Sequence, residues 1–220
     1  MPAEPAIETH KIEAFEVQPQ ARLMQPVANA PHLTSTSCEA VREIEILDEL
    51  GVRRSIYIPA ERALTVLVDD RELVTLMTLG ASPELLVLGF LRNQRLIKDA
   101  ADLESISVDW RAGTALVKTR PGKRELPAAL PRIVAGGSGK GSIYAAMMSQ
   151  LDTLRLPDAG EARISGSTLR AVLDTMRQHD TIHRHARSVH SCALFQHDRL
   201  LVSVEDVSRH NGLDTVSGWM

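Results

Sequence analysis

The sequence predicts an α/β protein, and two patterns support this class. Between Val41 and Thr119, several short segments alternate apolar and polar residues with the period of two that is typical of β-strands. Beyond residue 131, segments with helical spacing accompany a short buried strand at Leu200–Val204. We therefore expect a β-rich N-terminal subdomain over residues 41–120 and an α/β subdomain over residues 132–220.

The N-terminal subdomain is predicted to consist mainly of hairpins. Asp69-Asp70 forms one turn between strands, and Arg111-Ala112-Gly113 forms another, because Asp and Gly tolerate the backbone conformations of tight turns. The predicted strands are Val41–Ile46, Ser55–Ile58, Ala63–Val68, Glu72–Thr78, Ile106–Trp110 and Thr114–Thr119.

A first helix is predicted at the end of the fourth strand. Ser82 is the expected N-cap and Pro83 the first helical residue, since proline is tolerated where the N–H has no helical partner. The helix runs over Glu84–Asn93 and is expected to bury Leu85, Leu88 and Leu91 on one face.

Two more helices are predicted in the C-terminal half of the chain. One runs from Ser142 to about Leu151, and the other begins at Gly166-Ser167-Thr168 and ends near Gln178. The second has an apolar stripe that we expect to face the core, formed by Leu169, Val172, Leu173 and Met176.

Proline marks the two segments expected to lack regular structure. Residues 1–40 contain five prolines and no sustained periodicity, which predicts a disordered tail. Residues 121–131 contain three prolines and are predicted to link the two subdomains.

Composition excludes several classes of function. The chain has 220 residues, a formal charge of −3 and a pI near 6.2, which argues against a nucleic-acid or membrane-surface protein. No apolar run is long enough to span a bilayer, and no signal peptide is recognisable at the N-terminus. Two cysteines, Cys38 and Cys192, are too few for a disulfide framework. We therefore expect a cytoplasmic protein.

The strongest candidate site follows the strand at Leu200–Val204. There a strand ends and a helix begins, and Asp206 or Ser208 can cap that helix. Free N–H groups at such a position favour an anionic ligand, whereas the simpler alternative is a solvated turn with a local Asp–Arg pair. The polar and ionisable residues of this segment are Glu205, Asp206, Arg209, His210 and Asn211.

A glycine-rich loop over residues 136–141 suggests a phosphate-binding P-loop, but its spacing does not fit. That motif requires Gly four residues before Gly-Lys and Ser or Thr directly after it. Val134 and Gly141 occupy those two positions. A nucleotide-hydrolysing P-loop is therefore not expected.

Histidines are frequent between residues 179 and 210, which raises the alternative of a metal site with Cys192 as a further ligand. Their spacing matches no zinc pattern, and no second cysteine lies nearby. We therefore expect exposed or hydrogen-bonding histidines and no metal ligands.

The segment Glu205-Asp206-Val207-Ser208-Arg209-His210-Asn211-Gly212-Leu213-Asp214 resembles the Glu-Asp-Val-Gly-Arg-His-Asn-Ala-x-Asp-Lys signature of the formate dehydrogenase accessory sulfurtransferase (FdhD) family. Ser208 replaces the family's Gly, and Thr215 replaces its usual Lys. The helix containing Gly89-Phe90-Leu91 is similar to the family's Leu-Ala-x-Gly-Phe-Leu segment. His190-Ser191-Cys192-Ala193-Leu194 resembles a His-x-Ala-Ala-Leu strand, although Ala186-Arg187-Ser188-Val189 replaces the Thr-Gly-Gly-x before it.

The resemblance extends to the glycine-rich loop, with one chemical difference. Gly139-Lys140-Gly141-Ser142 is similar to the end of the family's Cys-Gly-x-Cys-Gly-Lys-x-Ser loop. Ser138 then occupies the position of the cysteine that carries persulfide, and Ala135 that of the other cysteine. Because a serine hydroxyl cannot hold sulfane sulfur, the catalytic position lacks the atom that the chemistry requires. Cys192 is a remote candidate for a relocated carrier.

The resemblance implies a fold, a reaction and a set of partners. It implies that the second subdomain is cytidine-deaminase-like, is incomplete at its C-terminus and lacks a catalytic zinc. The family passes sulfur from a cysteine desulfurase to the molybdenum bis-guanine-dinucleotide cofactor before its insertion into formate dehydrogenase; a homodimer is left open. The implied cofactor-binding residues are Gly137, Gly139, Lys140, His190, Glu205, Asp206, Arg209, His210 and Asn211.

Two alternatives to sulfur transfer follow from these residues. The first is a divergent binding module that holds the cofactor or the dehydrogenase without carrying persulfide, because Ser138 replaces the cysteine. The second, more distant alternative is an unrelated metal-dependent enzyme that uses the histidines.

Overall fold

The computed structural model describes residues 30–122, 155–158, 160, 162–179 and 181–220, together with the backbone of 133–135. The α/β class predicted from the sequence is confirmed, since strands and helices both contribute to the described part of the chain. The predicted helix over 142–151 and the glycine-rich loop lie outside the described residues.

The largest element is a six-stranded mixed sheet with the order β1-β6-β7-β4-β5-β8. Within it, β4 pairs antiparallel with β5 and β6 with β7, while β4 and β7 run parallel. Two separate hairpins, β2–β3 and β9–β10, complete the described strands. The strands are β1 (His32–Leu33), β2 (Val41–Leu47), β3 (Arg53–Pro59), β4 (Arg62–Val68), β5 (Arg71–Thr78), β6 (Leu103–Asp109), β7 (Thr114–Thr119), β8 (Ile133–Ala135), β9 (His190–Gln196) and β10 (Arg199–Asp206).

Both predicted turns of the N-terminal half are present. Asp69 and Asp70 connect β4 to β5 with φ values of 47° and 64°, which is the left-handed conformation that a two-residue hairpin requires. Gly113, with a φ of 65°, lies in the turn between β6 and β7. The described helices are α1 (Pro83–Asn93), α2 (Gly166–His179), α3 (Thr181–Ala186) and α4 (Arg209–Trp219), with a 3₁₀ turn at Ala100–Asp102.

The core is aliphatic and lies between the six-stranded sheet and α1. Burial of these side chains removes apolar surface from water at roughly 25 cal/mol per Å², which is the main driving force for the fold. The core is formed mainly by Leu64, Val66, Val74, Leu76, Leu86, Leu91, Leu103, Ile106 and Val117.

Helices α1 and α4 cross at unusually close range because each contributes a glycine. A Cβ at Gly89 would overlap the carbonyl oxygen of Asp214, and one at Gly218 would overlap that of Leu85. Helix α1 is consequently buried on almost every side, which corrects the prediction of a single buried face. Leu85 is only half-buried, whereas Leu86, Val87 and Phe90, which the prediction had left outside the core face, are buried.

Helix α2 is less buried than the sequence predicts, whereas α1 is more buried. Its bounds agree with the expected helix, but none of its residues is buried. Leu169 and Leu173 are 46% and 44% exposed, and Val172 and Met176 are half-buried. The prediction that this stripe faces the core was therefore wrong, because periodicity identifies an apolar face without identifying what covers it.

The start of the described chain is ordered, in contrast to the tail predicted through residue 40. Strand β1 pairs parallel with β6. Thr34 and Thr36 donate hydroxyl hydrogen bonds of 2.7 and 2.8 Å to Oε1 of Glu84, a buried residue at the start of α1. Residues 1–29 and most of the predicted linker lie outside the described residues, and the division into two subdomains stays a prediction.

Candidate functional site

The predicted site lies at the junction between β10 and α4, the β10–α4 junction. Ser208 caps α4, and its hydroxyl oxygen accepts a hydrogen bond of 3.2 Å from the backbone N–H of His210. Of the two candidate caps, the structure therefore selects Ser208. The other candidate, Asp206, is the last residue of β10 and has a different set of partners.

The carboxylate of Asp206 fixes this junction to the end of β5. Its Oδ2 accepts hydrogen bonds from the Thr78 hydroxyl at 2.6 Å and from the Leu79 amide at 3.3 Å. Its Oδ1 accepts from the side-chain amide of Asn211 at 2.8 Å, and that amide also donates to the carbonyl of Met77 at 2.7 Å. Residues at the end of β5 are thereby connected to α4 through one buried side chain.

Burial and hydrogen bonding act on Asp206 in opposite directions. Removal from water raises the pKa of its carboxyl group, because the charged form loses hydration. The hydrogen bonds from Thr78 and Asn211 lower the pKa and partly offset this effect. The net pKa is raised, and the carboxylate depends on its donors to remain charged in the interior.

Glu205 is adjacent in sequence but binds a different element. Its Oε2 accepts from the backbone N–H groups of Thr181 and Ile182 at 3.1 and 2.9 Å. Its Oε1 accepts from the N–H of His183 at 2.8 Å. Glu205 is 6% exposed and supplies the acceptors that the first turn of α3 needs.

The remaining predicted residues at this junction are exposed to solvent. His190 is the register partner of Asp206 in the β9–β10 hairpin and therefore lies at the same end of the ribbon. Arg209 and His210 begin α4, and their side chains are exposed. The signature thus separates into a buried set of Glu205, Asp206 and Asn211, and an exposed set of His190, Arg209 and His210, whose ligand roles stay predictions.

Cys192 lies close to the junction but in surroundings that oppose reactivity. Its thiol is half-buried and donates a weak hydrogen bond of 3.6 Å to the carbonyl of Arg209. A Cβ at Gly212 would lie 2.7 Å from its Sγ, so the thiol packs directly against α4. Burial, and secondarily the charge of Asp206, raises the pKa of Cys192, which disfavours the nucleophilic thiolate.

The loop before β9 keeps a backbone conformation that suits glycine. Arg187 and Ser188 both have φ values of 50°, in the left-handed region. They occupy the two positions at which the resemblance places glycines. Non-glycine residues there cost roughly 1–2 kcal/mol each, so the surrounding structure must hold this geometry. The backbone therefore adopts a conformation that glycine would favour, although Arg187 and Ser188 occupy these positions.

Several contacts of this region were missed from the sequence. Thr78 and the Met77 carbonyl lie on β5, more than a hundred residues from the signature, and no local pattern connects them to Asp206. Asp214 accepts a hydrogen bond of 2.7 Å from the side-chain amide of Asn93. Burial raises the pKa of Asp214 to about 6. The resemblance to the family signature includes Asp214, but it does not indicate that Asn93 is the hydrogen-bond partner of Asp214.

The predicted loop residues Gly137, Ser138, Gly139 and Lys140 lie outside the described residues. Within the described ranges, no group of three or more His, Cys, Asp or Glu side chains is arranged to hold a metal ion. Among the helices of those ranges, none is long and apolar enough to cross a membrane.

Comparison with known proteins identifies relatives of this chain. A sulfur carrier protein FdhD from Halalkalibacterium halodurans is 28% identical over 82% of this chain, and one from Bacillus licheniformis is 29% identical over 76%. The chain spans 68% and 64% of the lengths of these two proteins.

A solved structure supports the fold. It is that of a proposed formate dehydrogenase accessory protein from Desulfotalea psychrophila, which is 22% identical and covers 81% of this chain with a TM-score of 0.60. The match covers 67% of that protein. The family model of the FdhD/NarQ family matches residues 59–220, a range that includes α1 and the whole β10–α4 junction. The chain belongs to the FdhD/NarQ family.

Proposed function

We propose that this chain is an accessory protein for formate dehydrogenase maturation that acts at the sulfur-carrier step. The observation that carries the proposal is the family match over residues 59–220, which includes the Glu-Asp-Val-Ser-Arg-His-Asn segment at the β10–α4 junction. Relatives from two other organisms, named sulfur carrier proteins, support the same reading. On this proposal, a cysteine desulfurase is the sulfur donor, and formate dehydrogenase is the enzyme whose maturation requires that sulfur.

The proposed cargo is the molybdenum bis-guanine-dinucleotide cofactor, whose phosphates are anionic. Arg209 and His210 lie exposed in the first turn of α4, where backbone N–H groups and the helix dipole favour negative charge. His190 lies at the same end of the β9–β10 ribbon. We assign these three exposed side chains to contact with the cargo, and Glu205, Asp206 and Asn211 to holding the backbone that presents them.

The sulfur chemistry requires a thiol. A carrier thiolate attacks the terminal sulfur of the donor persulfide, the donor S–S bond breaks, and the donor leaves as a thiolate. Ser138, at the position of the family's carrier, cannot accept sulfur in this way. The chain's only cysteines are Cys38 and Cys192. The packing of Cys192 opposes its ionisation.

A second candidate function follows from this observation. The chain can hold the cofactor or the dehydrogenase without carrying sulfur itself, as a binding module. This function requires the β10–α4 junction but no reactive thiol. Whether the chain carries sulfur or only holds the cofactor, Arg209→Ala should weaken binding of the cofactor about tenfold, which is the loss expected for one charge-assisted hydrogen bond. Arg199→Ala, at the opposite end of β10, is the matched control and should leave binding unchanged.

A sulfur-transfer assay separates the two candidates. The purified chain is incubated with a cysteine desulfurase and cysteine, and its intact mass is then measured. A reductant-sensitive gain of one sulfur that Cys192→Ala abolishes supports carriage by a relocated thiol. No gain in the natural chain, with a gain in Ser138→Cys, supports a binding module that still meets the sulfur donor. No gain in either protein contradicts a role at the sulfur-carrier step.

A further inference from the structure

Cys38 lies on an ordered segment beside the β10–α4 junction, although the sequence places it in a disordered tail. The segment, residues 34–40, connects β1 to β2 and is the strap. The backbone N–H of Cys38 donates a hydrogen bond of 3.0 Å to the carbonyl of Gly80, just beyond the end of β5. The N–H of Gly80 donates in turn to Oγ1 of Thr78 at 3.1 Å, and the hydroxyl of Thr78 is the group that binds Asp206. The half-buried thiol is therefore held next to the contact that fixes the junction.

Further hydrogen bonds hold the strap on the C-terminal side of this cysteine. Nη1 of Arg62 donates to the carbonyl of Glu39 at 2.8 Å and to that of Ala60 at 2.9 Å. The N–H of Ala60 donates to the carbonyl of Ala40 at 2.8 Å. Because these bonds follow directly after Cys38, its thiol is presented at a defined place and loses little entropy when it reacts.

Gly80 allows a tryptophan and Cys38 to meet above its backbone. Its φ is 75°, in the left-handed region that favours glycine. A Cβ at Gly80 would lie 2.7 Å from Cζ2 of Trp110 and 3.4 Å from the Cβ of Cys38. The indole ring and the cysteine therefore border the same small space. Cζ2 is two bonds from Nε1, so the indole N–H lies on the edge of the ring that faces this space.

The indole N–H of Trp110 is buried without an acceptor. Among the buried side-chain nitrogen and oxygen atoms of the residues that the structure describes, it is the one that has no hydrogen-bond partner. A buried donor without an acceptor is unfavourable, so its position indicates where an acceptor binds. A persulfide on Cys38 supplies an anionic acceptor there, because its terminal sulfur lies roughly 2 Å beyond Sγ.

The other candidate positions are less suited to accept sulfur. Ser138 has a hydroxyl in place of the thiol, and burial raises the pKa of Cys192, which disfavours its thiolate. Cys38 lies outside residues 59–220, the range that the family model matches, so the family pattern gives it no role.

We propose that Cys38 is the sulfur-accepting thiol of this chain and that the indole N–H of Trp110 donates a hydrogen bond to the terminal sulfur of its persulfide. This assignment rests on the sulfur-carrier role proposed above. The Cys38 thiol loses its proton to solvent, and the thiolate attacks the terminal sulfur of a donor persulfide. One S–S bond forms on Cys38, the S–S bond of the donor breaks, and the donor leaves as a thiolate with the electron pair of that bond. No further oxidant or reductant is consumed.

Inorganic polysulfide loads sulfur without a donor protein and tests the thiol assignment. Full-length Cys192→Ala and Cys38→Ala chains are each incubated with polysulfide, and their intact masses are followed over time. The Cys192→Ala chain should gain one reductant-sensitive sulfur at least about tenfold faster than the Cys38→Ala chain, because only its remaining thiol is accessible and free of the packing that opposes ionisation. Comparable rates, a faster gain in Cys38→Ala, or no gain in either chain overturns the proposal.

Sulfur exchange with glutathione tests the hydrogen bond. In the Cys192→Ala background, the loaded chain is mixed with glutathione until the two thiols share the sulfur at equilibrium. Trp110→Phe keeps an aromatic ring without the N–H donor and should shift this equilibrium about tenfold towards glutathione, as expected for one charge-assisted hydrogen bond. Trp219→Phe is the matched control, since Trp219 packs with Val202 and Val216 in another cluster. Equal equilibria in the two variants overturn the proposal, and circular dichroism confirms that both are folded.

The two indole N–H signals in the NMR spectrum give a readout that needs no tryptophan variant. When polysulfide loads Cys38, the proton signal of Trp110 should move downfield as its hydrogen bond forms, whereas that of Trp219 should stay. An unchanged Trp110 signal overturns the proposal. Loading by a cysteine desulfurase tests the proposed function separately. If polysulfide loads Cys38 and the desulfurase does not, the thiol assignment is supported and the role at the sulfur-carrier step is contradicted.

Discussion

Helices α1 and α2 have similar sequence patterns and opposite surroundings. Both carry leucines at helical spacing, and both were predicted to bury one face. Helix α1 is buried almost all round, because the six-stranded sheet covers one side and α4 crosses the other at Gly89 and Gly218. Helix α2 has no buried residue. The comparison shows that the number and closeness of neighbouring elements, which depend on residues elsewhere in the chain, decide how much of an amphipathic helix becomes core.

The largest effect on stability is expected from a substitution that forces α1 away from α4. In Gly89→Ala the added methyl would overlap the backbone of Asp214, which cannot move aside as a side chain could. We expect the free energy of unfolding to fall by about 3 kcal/mol, at the upper end for overpacking, in urea titration. Gly166→Ala at the start of α2 is the control, since nothing lies near its Cβ position and no loss is expected. Equal free energies of unfolding for Gly89→Ala and Gly166→Ala would contradict the close approach of α1 and α4.

The next largest effect is expected at the carboxylate that fixes the start of α4. Asp206→Ala leaves the Thr78 hydroxyl and the Leu79 amide without their acceptor in the interior. We expect a loss of about 2 kcal/mol in unfolding free energy, typical of unsatisfied buried donors. Asp174→Ala on α2 also removes a carboxylate, one paired with Arg177 in an exposed ion pair, and should change stability by less than about 0.5 kcal/mol. Equal losses of unfolding free energy in the two variants would show that the buried hydrogen bonds of Asp206 contribute no more to stability than the exposed ion pair of Asp174.

A smaller, pH-dependent effect is expected at Asp214. Its folded-state pKa of about 6 is raised above the ordinary 3.8, chiefly by burial, while the hydrogen bond from Asn93 and the charge of His210 lower it. The folded state therefore binds the proton more tightly than the unfolded state. Stability from this group is fully present below pH 3.8 and is lost as pH rises through about 6.

Asp214→Asn keeps an acceptor for Asn93 and removes the charge. Relative to this variant, the natural chain should lose on the order of 1 kcal/mol between pH 4 and pH 7, measured by unfolding at each pH. The same loss in Asp214→Asn would assign the pH dependence to other groups. Asp174→Asn on α2, where the carboxylate is exposed, is the matched control and should follow the natural chain.

How much of the molecule the sequence predicts depends on the range of each interaction. Strands β2 to β7 and the Asp69-Asp70 turn were predicted within a few residues, because alternation and turn chemistry are local. Helix α3 was not predicted, since its six residues show no pattern and its first turn is completed by Glu205, more than twenty residues away. The Thr78–Asp206 hydrogen bond joins residues 128 apart in sequence, so only the folded chain shows it.

The candidate site follows the same rule. The sequence placed the helix cap at Asp206 or Ser208, and the structure selects Ser208; the position was predictable because capping is decided within a few residues. It could not show that Glu205, Asp206 and Asn211 are buried while Arg209 and His210 are exposed, since that division depends on β5 and α3 packing beside the junction. Family resemblance grouped these residues by position, and the structure separates them into a buried set and an exposed set.

The smallest expected effect tests α2 directly with a substitution matched on α1. Leu91→Ala on α1 removes a fully buried side chain and should cost about 3 kcal/mol, in the range for core leucines. Leu173→Ala on α2, where the side chain is 44% exposed, should cost less than about 0.5 kcal/mol when unfolding is measured by urea titration. A loss as large as that of Leu91→Ala would mean that other residues of the chain cover the α2 face, and the contrast between the two helices would then disappear.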